Sequence, residues 1–284
     1  MNRPKRVAAI HDLSVFGRCS LSVITPIISA LGTQVLPVPT VLMSTHTGGF
    51  KDIEFSNCGD FVHRTADHLK KCNAEIDCIY SGYIADKTAF DGVYEFIKNF
   101  PKAMRVIDPV LGDNGKIYSA LSPEITNYMR ELIKHADIIT PNLTEVALLL
   151  NIPYKSELEI SEAKDLLDRL GMITDGSIVI TGALTKEYGK CNLIKENNKY
   201  YCVPCILKNC TYEGTGDAFA SVLTGCVLNG ISLCNAVAIS SEFIENCLEI
   251  TNNSGEPRRD GIFIEPMLKS LTHIQNSNRK IIYL

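Results

Sequence analysis

The sequence predicts an α/β protein in which helices cover both faces of a mostly parallel sheet. Short apolar runs rich in β-branched residues alternate with longer amphipathic segments over most of the 284 residues. Continuously apolar strands are typical of a sheet buried on both faces, and regular strand–helix alternation is typical of parallel pairing. Two short segments joined through Glu-Asn-Asn add a predicted antiparallel hairpin at one edge.

The elements of the first half follow from these apolar runs. Strands are predicted over four segments: Arg6–His11, Gln34–Val38, Asp77–Ser81 and Met104–Asp108. Helices are predicted over three: Leu21–Leu31, 60–71 and Thr88–Asn99. Ser122 with Pro123 after it predicts the start of a further helix that runs to about Lys134, since proline is favoured at the first helical position.

The second half continues the alternation and ends in the hairpin. Its predicted elements are the strands Asp137–Thr140 and Ser177–Thr181, the helices Thr144–Leu150 and Ser161–Leu170, and the hairpin strands Glu187–Ile194 and Lys199–Val203. The uncharged stretch from Ala218 to Ser241 is as long as a membrane span of about 20 residues. Asn229-Gly230 and Ser232 instead predict two buried helices, one ending and one starting there.

Composition and charge exclude several classes of protein. The chain is 45% apolar and 21% charged, which is ordinary for a globular protein, and its net charge of −4 supplies no basic face for nucleic acid. The apolar stretch after the basic N-terminus, Val7–Ile10, is shorter than the roughly 7–15 residues of a secretory signal. We therefore expect a cytoplasmic protein with no membrane partner. Because no linker or repeat divides the chain, we predict a single domain over 1–284, its last dozen residues from Thr272 loosely held.

The eleven cysteines suggest disulfides or zinc, but their pattern favours neither. An odd number cannot pair completely within one chain, and cytosolic thiols stay reduced. Cys202-Val-Pro-Cys205 is the only C-x-x-C; with Cys210 a three-thiolate site is conceivable, but no second pair or nearby histidine pair completes it. A strand carrying small apolar side chains is the preferred interpretation. Cys19 and Cys210 are expected near the chemistry, where they would make the protein sensitive to oxidation.

Polar, small and acidic residues follow each predicted strand. Ligands of such sheets bind beyond the carboxyl ends of the strands, so these residues are expected to converge. They are His11-Asp12, Ser44–Gly49, Ser81-Gly82-Tyr83, Asp108–Asp113, Thr140–Glu145, Thr181-Gly182 and Glu213–Asp217.

Gly214-Thr215-Gly216-Asp217 precedes a long apolar helix. Glycines at a helix start let backbone N–H groups turn toward one point, where the helix dipole favours a phosphate. A carboxylate there repels phosphate but is well placed to accept a proton from a hydroxyl that attacks phosphorus. The alternative is an ordinary helix start with Asp217 as a first-turn acid. No P-loop, dinucleotide fingerprint or nucleophile elbow is present.

Three more acids are expected beside this phosphate site. Asp108 and Asp113 flank a loop at a strand end, and Glu145 comes from the next strand–helix unit. Mg²⁺ takes carboxylates, waters and phosphate oxygens, so the group predicts a magnesium ion. Alternatives remain for each residue: Asp108 could be a turn acid, and Glu145 could cap the helix after Asn142.

With these segments the sequence resembles the ribokinase superfamily and, within it, the pyridoxal/pyridoxamine kinases of vitamin B6 salvage. The resemblance runs in order from about Val7 to about Leu271. It is carried by Gly214–Asp217, by Asp108-Pro-Val-Leu-Gly-Asp113, by Thr140-Pro-Asn-Leu-Thr-Glu145, by Ser44-Thr-His-Thr-Gly48 and by Ser81-Gly-Tyr83. It implies a ribokinase-like three-layer α/β/α fold and an ATP- and Mg²⁺-dependent kinase acting on the 5′-hydroxymethyl group of a B6 vitamer.

The resemblance also implies a role for each site residue. Asp217 would be the base, and the amides of Gly214, Thr215 and Gly216 the anion hole. The metal and its waters would be ordered by Asp108, Asp113 and Glu145, and the nucleotide would be bound by these together with Thr140, Asn142, Thr181 and the flap residue Tyr118. Thr47 and Tyr83 would contact the substrate ring. Family members are typically homodimers, and a monovalent cation is a further ion that the resemblance leaves open.

One departure from the family bears on the substrate. Asp12 stands where the family usually has serine, and we hypothesise that its charge favours pyridoxamine or pyridoxine over pyridoxal, unless it only caps the first helix. The departure keeps a hydroxymethylpyrimidine kinase, or another ribokinase-like small-molecule kinase, open as an alternative. A non-catalytic protein that binds vitamer or nucleotide is the alternative of another class.

Overall fold

The computed structural model describes residues 3–206, 212–274 and 277–284. A ten-stranded sheet runs through it in the order β12-β11-β10-β9-β8-β5-β4-β1-β2-β3, and β6 and β7 form a small separate hairpin. The strands are β1 Arg6–Phe16, β2 Gln34–Thr45, β3 Phe55–Asn57, β4 Cys78–Ser81, β5 Met104–Ile107, β6 Gly112–Asp113, β7 Lys116–Ile117, β8 Ile138–Ile139, β9 Ser177–Thr185, β10 Gly189–Glu196, β11 Lys199–Pro204 and β12 Ile282–Tyr283. The helices are α1 Ser20–Ala30, α2 Gly59–Lys71, α3 Lys87–Asn99, α4 Ile125–Ile133, α5 Leu143–Leu150, α6 Ile160–Leu170, α7 Thr215–Leu228 and α8 Leu233–Ser254, with short 3₁₀ helices at Arg258–Asp260 and Glu265–His273.

The strand pairing confirms the predicted fold class. Strands β2, β1, β4, β5, β8 and β9 pair in parallel, one with the next. The hairpin of β10 and β11 continues the sheet antiparallel at one edge, and β3 is antiparallel at the other. Parallel strands put their carboxyl ends on one side of the sheet, so the loops that follow them meet there.

Alternating residues of the strands supply two apolar cores, one on each face. In β1, Ala8 and Ile10 belong to the core that α2 to α6 cover, whereas Val7 and Ala9 belong to the core under α1, α7 and α8. All four are fully buried. This is the three-layer arrangement that the continuously apolar strands predict.

Two strands extend well past their predicted ends. β1 continues to Phe16 and β2 to Thr45, and they pair up to their last residues with a bulge after His11. The apolar pattern breaks at Asp12 in one strand and at Pro37 and Pro39 in the other, so the pattern alone ends both strands too early. Proline is tolerated near a sheet edge, and β3 pairs with β2 at residues 41–43, beyond both prolines.

The α4 helix begins later than Ser122 and Pro123 predict. Residues 122–125 form a turn in which the N–H of Ile125 donates to the carbonyl of Ser122 at 3.1 Å, and the helix starts at Ile125. The predicted break within the uncharged stretch is confirmed, because α7 ends at Leu228 and α8 starts at Leu233. None of the helices in the described part of the chain combines the length and apolar character that crossing a bilayer requires.

The described end of the C-terminal tail, residues 277–284, contacts the sheet, and the loose hold predicted for the last dozen residues stays a prediction. β12 pairs with β11, and the N–H of Leu284 donates to the carbonyl of Tyr200 at 2.9 Å. The Arg279 guanidinium forms a two-pronged ion pair with Glu245 of α8. The polar composition of the tail does not predict these contacts, because only one arginine and two apolar residues make them.

Replacing Arg279 with alanine is expected to lower the free energy of unfolding by about 3 kcal/mol, since it leaves the nearly buried Glu245 carboxylate without its cation. The side chains of this pair are only 9% and 12% exposed. Urea denaturation would measure the change. Lys134→Ala breaks the exposed pair with Glu131 and serves as the control, with a change of about 0.5 kcal/mol or less. If both substitutions lowered the free energy of unfolding equally, the proposed contribution of the Arg279–Glu245 pair to stability would be contradicted.

Candidate active site

A cavity of about 610 Å³ lies at the carboxyl ends of the parallel strands. Every residue that the sequence analysis proposed for the site lines it: Asp12, Thr47, Tyr83, Asp108, Asp113, Tyr118, Thr140, Asn142, Glu145, Thr181, Gly214, Thr215, Gly216 and Asp217. The structure therefore brings together residues that are spread over 205 positions of the chain. Their individual roles stay predictions.

The start of α7 forms one wall of the cavity. Gly214 adopts φ +77°, and a Cβ there would lie 1.9 Å from the carbonyl oxygen of Arg18, so this position requires glycine. At Gly216 an added Cβ would meet no described atom within 4 Å. The glycine at 216 thus leaves free space in the cavity beside the first amides of α7, where a phosphate would be favoured.

Asp217 is held in this wall by two partners. The N–H of Ser20 donates to Oδ2 at 2.7 Å, and Nε2 of His11 lies 3.2 Å from Oδ1, at ion-pair distance but without hydrogen-bond alignment. Burial raises the pKa of Asp217, but the charge of His11 and the hydrogen bond from Ser20 lower it by more. The pKa is therefore below its ordinary value. The carboxylate is therefore ionised at neutral pH and able to accept a proton.

Asp12 lies in the bulge of β1 and is 3% exposed. Its Oδ1 accepts a hydrogen bond from Ser20 Oγ at 2.5 Å and lies 2.7 Å from Nδ1 of His11, while Oδ2 accepts from Ser14 Oγ at 3.2 Å. Asp12 is not the N-cap of α1. The N-cap residue is Cys19, and no side chain accepts a capping hydrogen bond from the first backbone N–H groups of that helix. Both oxygens of the Asp12 carboxylate are therefore engaged by protein groups.

Two buried acids lie at the nucleotide side of the predicted site. Asp108 accepts from Thr140 Oγ1 at 3.0 Å, and burial followed by the charge of Asp217 raises its pKa. Glu145 completes a capping box with Asn142, accepting from the Asn142 N–H at 2.8 Å and from the Leu111 N–H at 3.1 Å. Burial, then the charge of Asp108, raises its pKa well above the ordinary value. The cap role and the site role of Glu145 therefore coexist.

The small hairpin of β6 and β7 stands over this side of the cavity. Asp113 is exposed in it, and its carboxylate accepts from the backbone and side-chain nitrogens of Asn114. Tyr118 follows the hairpin, and its N–H donates to the carbonyl of Leu111 at 2.9 Å. Burial raises the pKa of the Tyr118 phenol far above its ordinary value, so the hydroxyl is a neutral hydrogen-bonding group.

The opposite end of the cavity is formed by residues 46–48 and Tyr83. His46 joins this loop to the 3₁₀ segment, since its Nε2 donates to the carbonyl of Arg259 at 2.6 Å and its Nδ1 accepts from the Gly48 N–H at 3.0 Å. Thr47 is exposed toward the cavity, while Tyr83 is 8% exposed, with burial raising its pKa to about 12. These two side chains offer hydroxyl groups at this end.

Sequence reasoning missed several residues of the cavity wall. They are His11, Ser20, His46, Lys190, Glu213 and Arg258. Three of them, His11, His46 and Glu213, stood inside segments already singled out but were given no role there. Lys190 belongs to β10 and Arg258 to a 3₁₀ helix, where the sequence carries no motif that marks them.

The cysteines show no sign of a metal site in the described residues. Cys202 and Cys191 are buried neighbours in the hairpin, and Cys205 follows β11, while Cys210 lies outside the described residues. No three His, Cys, Asp or Glu side chains in the described part of the chain converge as a metal would require. Cys19 lines the cavity, but burial raises its pKa well above the ordinary value, which keeps it a thiol.

The chain matches a family model. Residues 26–259 match the model described as phosphomethylpyrimidine kinase. The pyridoxal kinase of Sus scrofa is 29% identical over 244 residues, which cover 77% of this chain and 73% of the pig enzyme.

Solved structures agree with this match. A Bacteroides thetaiotaomicron protein assigned provisionally as a phosphomethylpyrimidine kinase is 36% identical, with a TM-score of 0.93 over 100% of this chain and 99% of that one. Its orthorhombic form with pyridoxal has a TM-score of 0.91 at 36% identity, over 98% and 100% of the two chains. The prediction of a ribokinase-like vitamin B6 kinase relative is thereby confirmed, and the chain belongs to the phosphomethylpyrimidine kinase family.

Proposed function

We propose that this kinase transfers the γ-phosphoryl group of ATP to the 5′-hydroxymethyl group of a B6 vitamer. The observation that carries the proposal is Asp217, an ionised carboxylate in the first turn of α7, directly after Gly216 and on the wall of the 610 Å³ cavity; its side chain is 14% exposed. The bound pyridoxal of the Bacteroides protein and the pyridoxal kinases among the relatives support the vitamer as acceptor. A protein that only binds vitamer or nucleotide has no need of such a base.

The residues support one sequence of chemical events. The hydroxyl oxygen of the vitamer attacks the γ-phosphorus while its proton passes to Asp217, and the bond from the γ-phosphorus to the bridging oxygen breaks to release ADP. The amides at the start of α7 face the charge that develops on the transferring group. Lys190 and Arg258 on the cavity wall supply positive charge toward the polyphosphate.

No three of the acids in the described residues converge as a direct ligand set, so they would hold Mg²⁺ only together with water and phosphate oxygens. Glu145 has both oxygens engaged by backbone N–H groups, so it would order metal-bound water rather than ligate the ion. Asp108 and Asp113 are the other carboxylates available, and phosphate oxygens would complete the shell, as is usual for Mg²⁺. When bound, the ion neutralises charge on the phosphates. Removing Mg²⁺ with EDTA is expected to abolish turnover in the ADP-release assay, and adding Mg²⁺ in excess should restore it.

A coupled ADP-release assay with a panel of acceptors tests the proposed acceptor. Pyridoxal, pyridoxamine and pyridoxine should support turnover, each with Mg²⁺-ATP, and hydroxymethylpyrimidine should support less. The family model favours hydroxymethylpyrimidine as the second candidate. ADP release that depends on hydroxymethylpyrimidine and not on any vitamer would replace the first acceptor by the second.

The vitamer preference is tested at Asp12. If its charge selects the substrate, pyridoxamine and pyridoxine will have higher kcat/KM than pyridoxal, and Asp12→Ser will change that order. Both oxygens of Asp12 are engaged by His11, Ser14 and Ser20, so we expect the kcat/KM ratios between vitamers to change by less than about tenfold, which corresponds to about 1.4 kcal/mol. Ser14→Ala, which removes one donor to Asp12, is the control. A reversal beyond tenfold with Asp12→Ser alone would give Asp12 the direct substrate contact.

We further propose a cytoplasmic homodimer. Val15, Phe16, Leu42 and Phe55 are 82%, 53%, 39% and 74% exposed on β1, β2 and β3, the last of which is the edge strand. Large apolar side chains exposed on neighbouring strands are costly in water, and a second copy of the same chain would cover them. Sedimentation should give twice the 31.3 kDa of the chain, and Phe55→Glu should give the monomer.

A further inference from the structure

His11 occupies a narrow position between two carboxylates. It lies in β1 at the bulge and is 2% exposed. Nδ1 is 2.7 Å from Asp12 Oδ1 and Nε2 is 3.2 Å from Asp217 Oδ1. Each ring nitrogen therefore lies at ion-pair distance from a carboxylate oxygen, and the backbone N–H of Asp12 also lies 3.0 Å from Nδ1; the protonated ring is the form that both carboxylates attract.

The contacts around His11 form a ring of four residues. Ser20 donates its hydroxyl to Asp12 and its backbone N–H to Asp217, so Asp12, His11, Asp217 and Ser20 form a closed network. Ser20 adopts φ +53°, a conformation that is costly for a residue other than glycine and that persists only where surrounding contacts fix it. The network thus holds the Asp217 carboxylate from both of its oxygens.

The protein reserves space for the His11 ring. A Cβ at Gly82 would lie 2.0 Å from Cδ2 and 2.1 Å from Nε2 of His11, closer than atoms can approach. The ring of Tyr80 packs against the imidazole edge, with centroids 6.5 Å apart. The imidazole is consequently fixed by its neighbours on β4 and on the loop after it.

The charges that face the network make a cation necessary. The titratable groups around Asp217 come from β1, β4 and five connecting segments: Asp12, Tyr80, Cys19, His46, Asp108, Tyr118 and Glu213. Four of these are acids or thiols near a buried acid. Burial lowers the pKa of His11, but Asp217 and Asp12 outweigh it and raise the pKa to about 10. Without this cation, burial and the charge of Asp108 would oppose the ionised form of Asp217.

We propose that His11 is a positioning residue of the kinase, which orients the Asp217 carboxylate and keeps it ionised by bridging it to Asp12. Asp12 is then the fixed anion that secures the charge of His11. The inference rests on the proposed role of Asp217 as the base.

The test replaces His11 with glutamine, which is neutral but retains a hydrogen-bonding amide. In the holoenzyme with Mg²⁺-ATP and pyridoxamine, kcat should fall by about 100-fold while KM changes by less than threefold. The acid limb of kcat/KM should also move up by about one pH unit, because an Asp217 without its cation needs higher pH to ionise. His135→Gln, a change of the same kind in a histidine packed against Tyr94, should keep the wild-type profile.

Two further measurements keep the inference falsifiable. Gly82→Ala should displace the imidazole ring while His11 itself is retained, and its pH profile of kcat/KM should match that of H11Q. If circular dichroism shows that H11Q does not fold, the same measurements on H11N and G82A test the inference. Carbon-13 NMR of the Asp217 carboxyl, assigned with D217N, should show titration at higher pH in H11Q without need of turnover.

An unchanged titration of Asp217 in the folded His11 variant would overturn the inference, as would a uniform loss of rate at every pH. A shifted titration in a protein that phosphorylates no vitamer would instead support the network while refuting the proposed function.

Discussion

Replacing Asp217 with asparagine is expected to lower kcat by about 10²–10⁴-fold, the range that general base catalysis contributes, while the affinity for ATP changes little. Asparagine has the same shape and can still accept the hydrogen bond from the Ser20 N–H, but it cannot take the proton of the attacking hydroxyl. The ion pair with His11 is also lost, and the expected fall in kcat includes the effect of that loss. Coupled ADP release measures kcat, and displacement of a fluorescent ATP analogue measures binding.

Asp91→Asn is the matched control for this substitution. Asp91 lies on α3 with its side chain 49% exposed beside Lys87, outside the residues that line the cavity. The same chemical change there should leave kcat within about twofold, since exposed ion pairs contribute little. Near-normal turnover of the D217N protein with intact ATP binding would remove Asp217 from the role of base.

Substituting the two glycines of the motif is expected to separate folding from phosphate binding. Gly214→Ala places a Cβ 1.9 Å from the Arg18 carbonyl at φ +77°, and the strained backbone alone should cost about 1–3 kcal/mol of the free energy of unfolding. Gly216→Ala meets no described atom within 4 Å and should fold normally. Its methyl group instead enters the space proposed for the phosphate, and kcat/KM should fall by about 100-fold.

Thermal unfolding and steady-state kinetics measure both glycine variants. The decisive comparison is the pattern: a lower melting temperature for G214A, and a normal melting temperature with low activity for G216A. Full activity of a well-folded G216A would show that the phosphate does not occupy the space beside that residue. Gly230→Ala, far from the cavity in the turn between α7 and α8, is a control for a positive-φ glycine whose Cβ would meet no described atom.

The sequence was sufficient for the fold class, and the residues it proposed for the site line one cavity, although their roles stay predictions. Period and composition predict the parallel sheet, and the residues after each strand predict the cavity wall, because both depend on local sequence. The extension of β1 to Phe16 was not predictable, since the polar Asp12 interrupts the apolar pattern at the bulge. That the domain spans 1–284 stays a prediction.

What the sequence could not show is which residues act on Asp217. Its Oδ2 is held by a backbone N–H at Ser20, 197 positions away, and a backbone donor leaves no trace in residue identity. The contact of the tail through Arg279 could not be predicted for a similar reason. A single arginine in a polar segment forms no sequence pattern that indicates its partner. Long-range contacts of single atoms lie beyond what periodicity can indicate.

The close packing of His11 against Gly82 makes these positions interdependent across a family. Any residue larger than glycine at 82 would collide with the imidazole, so such a substitution should be accompanied in relatives by a smaller or repositioned side chain at 11. Aligned relatives should therefore show correlated exchange at the two positions, although 70 residues separate them in the chain. The histidine and the glycine would be inherited as one unit.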